Sequence, residues 1–155
     1  MALATELKKE IEDIFAEQWA VKDGQVVPDP AALKLSNEAR RFERATVLYA
    51  DLSGSTDLVN NYKWTYAGEI YKAYLAVAAK IIRAEKGVIT SYDGDRIMAV
   101  FLGDTQTTTA AICGLQINWA VQNIVNPALK KQYPSDAYAV KQIIGIDTSE
   151  LRTAE

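Results

Sequence analysis

The feature that most constrains the fold of this chain is a pair of β-rich runs around Asp93-Gly94, in "GVITSYDGDRIMAVF". Asp-Gly between two such runs is a strong signal for a tight β-hairpin. A two-residue loop would place Tyr92 opposite Asp95, whereas a three-residue loop with Gly94 in the left-handed region would place Ser91 opposite Asp95. The pattern alone leaves both registers open.

Strand and helix patterns surround this hairpin in a regular order. A strand is predicted from about Thr46 to Leu52, a helix near Ser55, and a longer helix over about 65–85. After the hairpin, a helix over about 105–130 and a strand in "AVKQIIGIDT" follow. This order predicts the α+β class and a ferredoxin-like βαββαβ antiparallel sheet with helices on one face. The other face is left bare.

The segment before this core has a different character. Apolar residues at helical spacing predict an additional N-terminal helix that ends before Asp23-Gly24, namely Leu7, Ile11, Ile14, Phe15 and Trp19. The stretch "VVPDPAALKLSNEARR" with its two prolines predicts a connector that packs as an arm. We therefore divide the chain into residues 1–40, the N-terminal helix and connector arm, and residues 41–155, one folded domain.

Composition excludes several classes of partner and chemistry. A net charge of −3 without a long basic block argues against nucleic acid, and no apolar run approaches the roughly 20 residues that span a bilayer. With no secretory signal and a lone Cys113 in an apolar helical stretch, we expect a cytoplasmic protein and a buried core cysteine. Because the chain has no histidine, catalysis would need carboxylates, backbone amides or bound metal.

Two aspartates are the best candidates for such chemistry. Asp51 ends the first strand and Asp95 begins the strand after the hairpin, so neighbouring strands would bring both to one edge of the bare face. Two close carboxylates repel each other, and a divalent cation between them removes the repulsion. Hard oxygen ligands suit Mg²⁺ or Mn²⁺. The loop "LSGST" would add backbone N–H groups, helped by a helix dipole, so we predict a nucleoside triphosphate site.

Each fragment also has a simpler interpretation. An aspartate at a strand end is most often a helix cap, and Asp-Gly is most often only a turn. The stretch around Asp51 also loosely matches the D-x-D-x-T motif of haloacid-dehalogenase-type phosphatases, but Ser53 stands where the second aspartate is needed.

In combination, three motifs resemble the class III nucleotide cyclases. "TVLYADLSGSTDL" is similar to that family's "vtvLFaDivGfTsl", "GVITSYDGDRIMAVF" to its "G.v.k..GDgymavF", and "IIGIDTSEL" to its "riGIhtGev". The resemblance covers about Arg44 to Leu151 and marks residues 41–155 as a cyclase-like catalytic domain. It implies that the ribose 3′-hydroxyl closes onto the α-phosphate and expels pyrophosphate, with two Mg²⁺ or Mn²⁺ ions per site.

The resemblance assigns roles residue by residue. Asp51 and Asp95 match the two catalytic, metal-binding aspartates, and the carbonyl of Leu52 matches a further metal contact. The residues that match the phosphate loop are Ser53, Gly54, Ser55 and Thr56.

Three departures from the family pattern concern the nucleotide. Ser55 replaces the usual Phe of "GFT", Ser91 replaces the base-selecting Lys or Glu, and Tyr49 replaces a Phe two residues before Asp51. Around these positions the chain looks closest to the bacterial pyrimidine cyclases of antiphage defence. That likeness implies UTP or CTP as substrate, a cyclic UMP or cyclic CMP messenger read by a separate effector, and a homodimer with sites at its interface.

Two alternatives and one gap accompany this interpretation. A purine cyclase and a non-catalytic nucleotide-binding module remain possible functions, and the residues do not distinguish uracil from cytosine. The family's transition-state Asn and Arg lie on later elements, whereas this chain stops at "ELRTAE". The resemblance therefore implies a chain truncated at its C-terminus.

Overall fold

The computed structural model describes residues 2–29, 37–136 and 138–154. The chain divides into two compact units, of which one takes the described residues up to Glu43 and those from Glu150 onwards. The other unit is Arg44–Ser149. Seven residues of the expected connector, 30–36, lie outside the described residues.

The first unit contains helix α1, Ala2–Ala16, and strand β1, Ala20–Asp23, which pairs in parallel with the start of strand β2, Glu38–Ser53. Two expectations are wrong here, since Trp19 lies beyond the helix and the end of the expected connector is a strand. The side-chain amide of Asn37 donates to the main-chain oxygen of Glu17 at 2.8 Å. This bond satisfies a carbonyl near the end of α1 that no helical N–H reaches.

The second unit has the predicted alternation of strands and helices. After β2 come α2, Ser55–Asn61, α3, Trp64–Ala84, β3, Val88–Asp93, and β4, Arg96–Phe101. Then follow α4, Gln106–Ala120, a π-helical turn, Val121–Val125, α5, Asn126–Gln132, and β5, Lys141–Thr153. The hairpin β3–β4 and the pair β2–β4 are antiparallel, and β5 pairs with β2. The strand order β5-β2-β4-β3 confirms the ferredoxin-like arrangement.

The core lies on one side of this sheet, under α3 and α4. Along β2, Leu48, Ala50 and Leu52 are buried, whereas Tyr49 between them is 42% exposed. Burial therefore alternates along β2 with the period of two that is typical of a strand. The helical side chains that complete this core are Ile70, Tyr74 and Ile82 of α3, and Ala110, Cys113 and Ile117 of α4.

Cys113 is fully buried, as the sequence predicts, and burial raises the pKa of its thiol to about 12. The thiol is therefore protonated near neutral pH and unreactive. Within the described parts of the chain, no helix combines the length and the apolarity needed to cross a bilayer.

One asparagine connects the end of the long helical segment to the last strand. The Asn126 side chain accepts from Val140 N–H at 2.7 Å and donates to Val140 C=O at 3.0 Å. Val140 is 2% exposed, so water does not replace these two bonds. Asn126 thus satisfies both polar groups of a buried residue just before β5.

We expect Asn126→Leu to lower the free energy of unfolding by about 2–4 kcal/mol, because it leaves a buried N–H and a buried C=O unpaired. Urea denaturation followed by circular dichroism measures this loss. Asn123→Leu is the matched control, since Asn123 is exposed and bonds only to Trp119 C=O within the helix. Equal losses in the two variants would contradict the role of Asn126.

Candidate active site

Strand β2 brings Asp51 to the bare face of the sheet. The β2–β4 ladder runs to the pair Ala50–Ile97, so Asp51 and Arg96 are the next residues across. Arg96 Nη2 donates to Asp51 Oδ2 at 3.2 Å, and this bond raises the pKa of Arg96. The motif pattern did not single out Arg96, although the strand register places it there.

The hairpin places Asp95 in its turn. Asp93 faces Arg96, so the two loop residues are Gly94 and Asp95. Gly94 has φ 59°, and a glycine with positive φ at the first loop position is typical of a type II′ hairpin turn, whose twist matches the strands. Both registers that the sequence left open are wrong, because each placed Asp95 inside a strand pair.

The negative charges of Asp51 and Asp95 both act on a buried phenol, that of Tyr74 on α3. Burial raises the pKa of Tyr74, and the negative charges of Asp51 and Asp95 raise it further. The phenol therefore stays protonated at neutral pH and can donate a hydrogen bond. Among the described residues neither Tyr74 Oη nor the buried Asp95 Oδ2 has a hydrogen-bond partner. The sequence motifs did not single out Tyr74.

The donor set fits a divalent cation. The unpaired Asp95 Oδ2 lacks the positive partner that a buried carboxylate oxygen needs, and both aspartates offer hard oxygen atoms. No group of three or more Asp, Glu, Cys or His side chains suited to a metal occurs in the described part of the chain. Carbonyl oxygen, water and phosphate would have to complete the coordination, as is usual for Mg²⁺. The carbonyl of Leu52 lies beyond the last pair of the β2–β4 ladder.

The expected phosphate loop follows directly. Ser53 is the last residue of β2, Gly54 has φ 75°, and Ser55 and Thr56 begin α2. Gly54 is the N-cap of α2, and no side chain among the described residues caps the helix. A Cβ atom built on Gly54 would meet nothing within 4 Å. The loop therefore combines open space with uncapped amides, although α2 has only seven residues to supply a dipole.

Tyr49, Met98 and Ser91 form a row across β2, β4 and β3 on the bare face. A bulge between Ile89 and Ser91 adds one residue to β3 and so sets Ser91 opposite Met98. Two strand spacings, about 10 Å, separate Tyr49 from Ser91, and about 7 Å along β2 separates Tyr49 from Asp51. Both predicted base-contacting residues thus lie on the face that carries Asp51.

Comparison with known proteins identifies relatives over the full chain. A uridylate cyclase from Burkholderia cepacia is 51% identical over an alignment of 155 residues, which covers 99% of this chain and 67% of that protein. A uridylate cyclase from Xanthomonas perforans is 46% identical, over 100% of this chain and 67% of its own length. The chain therefore spans about two thirds of the length of these relatives. No protein-family model matches it.

Solved structures show the same fold at low identity. The adenylyl cyclase CyaB from P. aeruginosa has a TM-score of 0.63 and 22% identity, over 74% of this chain and 60% of its own. The guanylyl cyclase Cya2 has a TM-score of 0.65 and 23% identity, over 72% of this chain and 56% of its own.

Removing Arg96 should free Asp51 for a cation. Because exposed ion pairs are worth about 0.2–1 kcal/mol, we expect Arg96→Gln to tighten Mn²⁺ binding by about two- to fivefold. Electron paramagnetic resonance of free Mn²⁺ measures the affinity. Arg83→Gln is the control, since Arg83 donates to Tyr92 Oη at 3.2 Å and makes no contact with Asp51. Weaker Mn²⁺ binding in Arg96→Gln would show that Arg96 does not compete with the cation.

Proposed function

The chain belongs to the uridylate cyclase family of class III nucleotide cyclases, and from this membership we propose that its protein converts UTP to cyclic 3′,5′-UMP and pyrophosphate. Relatives that cover the whole chain bear the name uridylate cyclase, which favours UTP over CTP. The observation that carries the proposal is that the charges of Asp51 and Asp95 both act on Tyr74, beside an uncapped glycine loop.

The reaction makes one bond and breaks one. The ribose 3′-oxygen bonds to the α-phosphorus, the bond from that phosphorus to the bridging oxygen breaks, and the hydroxyl proton passes to water. Two Mg²⁺ or Mn²⁺ ions would supply positive charge that acidifies the hydroxyl and neutralises the phosphates. Asp51, Asp95 and the Leu52 carbonyl would hold this charge in place.

The residues after β2 would hold the triphosphate. Gly54 leaves room for a phosphate group, and the main-chain N–H groups of Ser55 and Thr56 have no side-chain cap to displace. Ser53 and the hydroxyl groups of Ser55 and Thr56 could add further donors. The loop would thereby orient the pyrophosphate leaving group in line with the 3′-oxygen.

The base would lie over the row of Tyr49, Met98 and Ser91. Tyr49 adds a phenolic oxygen to the face that the nucleotide occupies, and a purine is one ring larger than a pyrimidine. Overfilling a packed site costs about 1–3 kcal/mol. Ser91 is shorter than the Lys or Glu of purine cyclases, so a purine would also lose a base-reading hydrogen bond. Both effects favour a pyrimidine.

Asp51→Asn and Asp95→Asn should each reduce turnover of the full-length protein by roughly 100-fold or more, since each removes a negative charge that holds a metal ion. Release of pyrophosphate from UTP in Mn²⁺ measures turnover, and circular dichroism checks the fold. Asp104→Asn is the matched control, because Asp104 is exposed beyond the other end of β4. Wild-type turnover in either active-site variant would refute the assignment.

A panel of the four nucleoside triphosphates at equal concentration tests base selection. We expect UTP to be the best substrate of the wild type, and Tyr49→Phe to raise the relative rate with ATP by about tenfold, since 1.4 kcal/mol is a tenfold effect. Tyr92→Phe is the matched control, because Tyr92 Oη accepts from Arg83 rather than facing the base row. If ATP or GTP is the best wild-type substrate, the pyrimidine proposal is wrong although cyclase activity survives.

The bare face favours a homodimer with its sites at the interface. Within the unit Arg44–Ser149, α3 and α4 pack on the other side of the sheet, and Tyr49 is 42% exposed. A two-fold pairing of these faces would form two equivalent sites. We expect light scattering to find a dimer at micromolar concentration and Met98→Lys to weaken association by about tenfold, because it places a charge in the interface. A fully active monomer would contradict the pairing.

The resemblance to the bacterial pyrimidine cyclases of antiphage defence extends the proposal to a role in the cell. Cyclic UMP would act in the cytoplasm as a second messenger of antiphage defence and would be read by a separate effector protein. Cyclic UMP measured in extracts before and after phage infection tests this role, and an unchanged level would refute it.

A further inference from the structure

A second cavity lies in the unit Arg44–Ser149, at the end of β4 farthest from Asp95. It has a volume of about 280 Å³. Its walls come from the α3–β3 turn, the end of β4 and the first turn of α4, namely Ala84, Glu85, Lys86, Phe101, Leu102, Thr105, Gln106 and Thr109. Six residues of extended chain, roughly 20 Å, separate Asp95 from Phe101. The cavity is therefore distinct from the candidate active site.

A buried, unpaired amide oxygen in the wall points to a ligand. Gln106 is 4% exposed, and its Oε1 has no hydrogen-bond partner among the residues that the structure describes. A carbonyl oxygen that is removed from water needs a hydrogen-bond donor. A ligand in this cavity would therefore have to present an O–H or N–H group to Gln106.

Positive groups beside Gln106 set a second requirement, which concerns the charge of the ligand. Lys86 lines the cavity and makes no ion pair within the described ranges. Helix α4 has 15 residues, and no side chain caps its first turn at Thr105. The exposed N–H groups at the start of such a helix attract anions, and a lysine adds full positive charge. These groups favour a ligand with a negative charge.

Glu85 limits which anions can enter. It lines the same cavity, and its Oε1 accepts from Gln116 Nε2 at 2.7 Å. The Glu85 carboxylate would repel an anion that has no hydrogen-bond donor. A ligand that carries its own donor can instead bond to an acceptor in the wall. We propose that the cavity binds a small molecule that carries a phosphate or carboxylate group together with an O–H or N–H donor.

Inorganic phosphate and sulfate separate the two requirements, because phosphate at pH 7 has an O–H donor and sulfate has none. Each is titrated to about 50 mM into the ¹⁵N-labelled chain at constant ionic strength, and amide shifts are recorded. We expect saturable shifts at Lys86 and over 106–109 with phosphate, and at least about tenfold weaker binding of sulfate, which cannot satisfy Gln106. Shifts that do not saturate, or equal binding of the two anions, would overturn the proposal.

Three variants test which side chains contact the bound phosphate. Lys86→Met should weaken phosphate binding by about fivefold or more because it removes the charge at unchanged length. Lys80→Met, on the exposed surface of α3 outside the cavity, should leave binding unchanged. Gln106→Leu should reduce phosphate to the sulfate level. If Gln106→Leu does not fold, the Lys86 and Lys80 variants decide, and equal phosphate binding in those two overturns the proposal.

Glycerol 3-phosphate and lactate both carry a hydroxyl group, but the negative charge is on a phosphate in the first and on a carboxylate in the second. Comparing them therefore shows which anionic group the cavity prefers. Saturable shifts at the same amides, tighter with glycerol 3-phosphate than with lactate, would support the proposal and identify the ligand as an organic phosphate. The reverse order would support it with a carboxylate ligand. Shifts from either compound that are unaffected by Lys86→Met would contradict it.

Discussion

The period-two alternation of side chains along β2 is the constraint on which the rest of the second unit depends. Leu48, Ala50 and Leu52 face α3 and α4 and are buried in the core, which leaves Tyr49 and Asp51 on the other face. A shift of one residue in this strand would bury a carboxylate and expose the core. The burial that stabilises the sheet therefore also determines which side chains reach the candidate active site.

Buried polar groups without hydrogen-bond partners lie near both ends of β4. Near the start of β4, Asp95 Oδ2 and Tyr74 Oη are buried and have no hydrogen-bond partner among the described residues. Beyond the other end of β4, Gln106 Oε1 is also buried and has no partner among them. Such groups reduce stability unless a ligand pairs with them. The carboxylate end suits a cation, whereas the glutamine end, with Lys86 beside it, suits an anion that carries a donor.

Arg96 gives the site an internal counter-ion. It neutralises Asp51 at 3.2 Å but is half-exposed, so the pair is weak and can exchange with a cation. Among the described residues, Arg96 forms no such ion pair with Asp95, and Asp95 Oδ2 has no hydrogen-bond partner. The two aspartates, which look equivalent in the sequence, therefore differ in charge environment, and a metal ion would meet Asp95 as the unpaired ligand.

The sequence by itself determined the order of strands and helices, the ferredoxin-like sheet and the faces of β2, because all three follow from local periodicity and turn residues. Only the tertiary structure decided the hairpin register, since a bulge after Ile89 and the turn at Gly94-Asp95 shift the pairing in ways that composition does not encode. It also decided what surrounds each aspartate. The hydrogen bond of Arg96 to Asp51, and the effect of both aspartates' charges on Tyr74, join residues distant in the chain, which local pattern cannot predict.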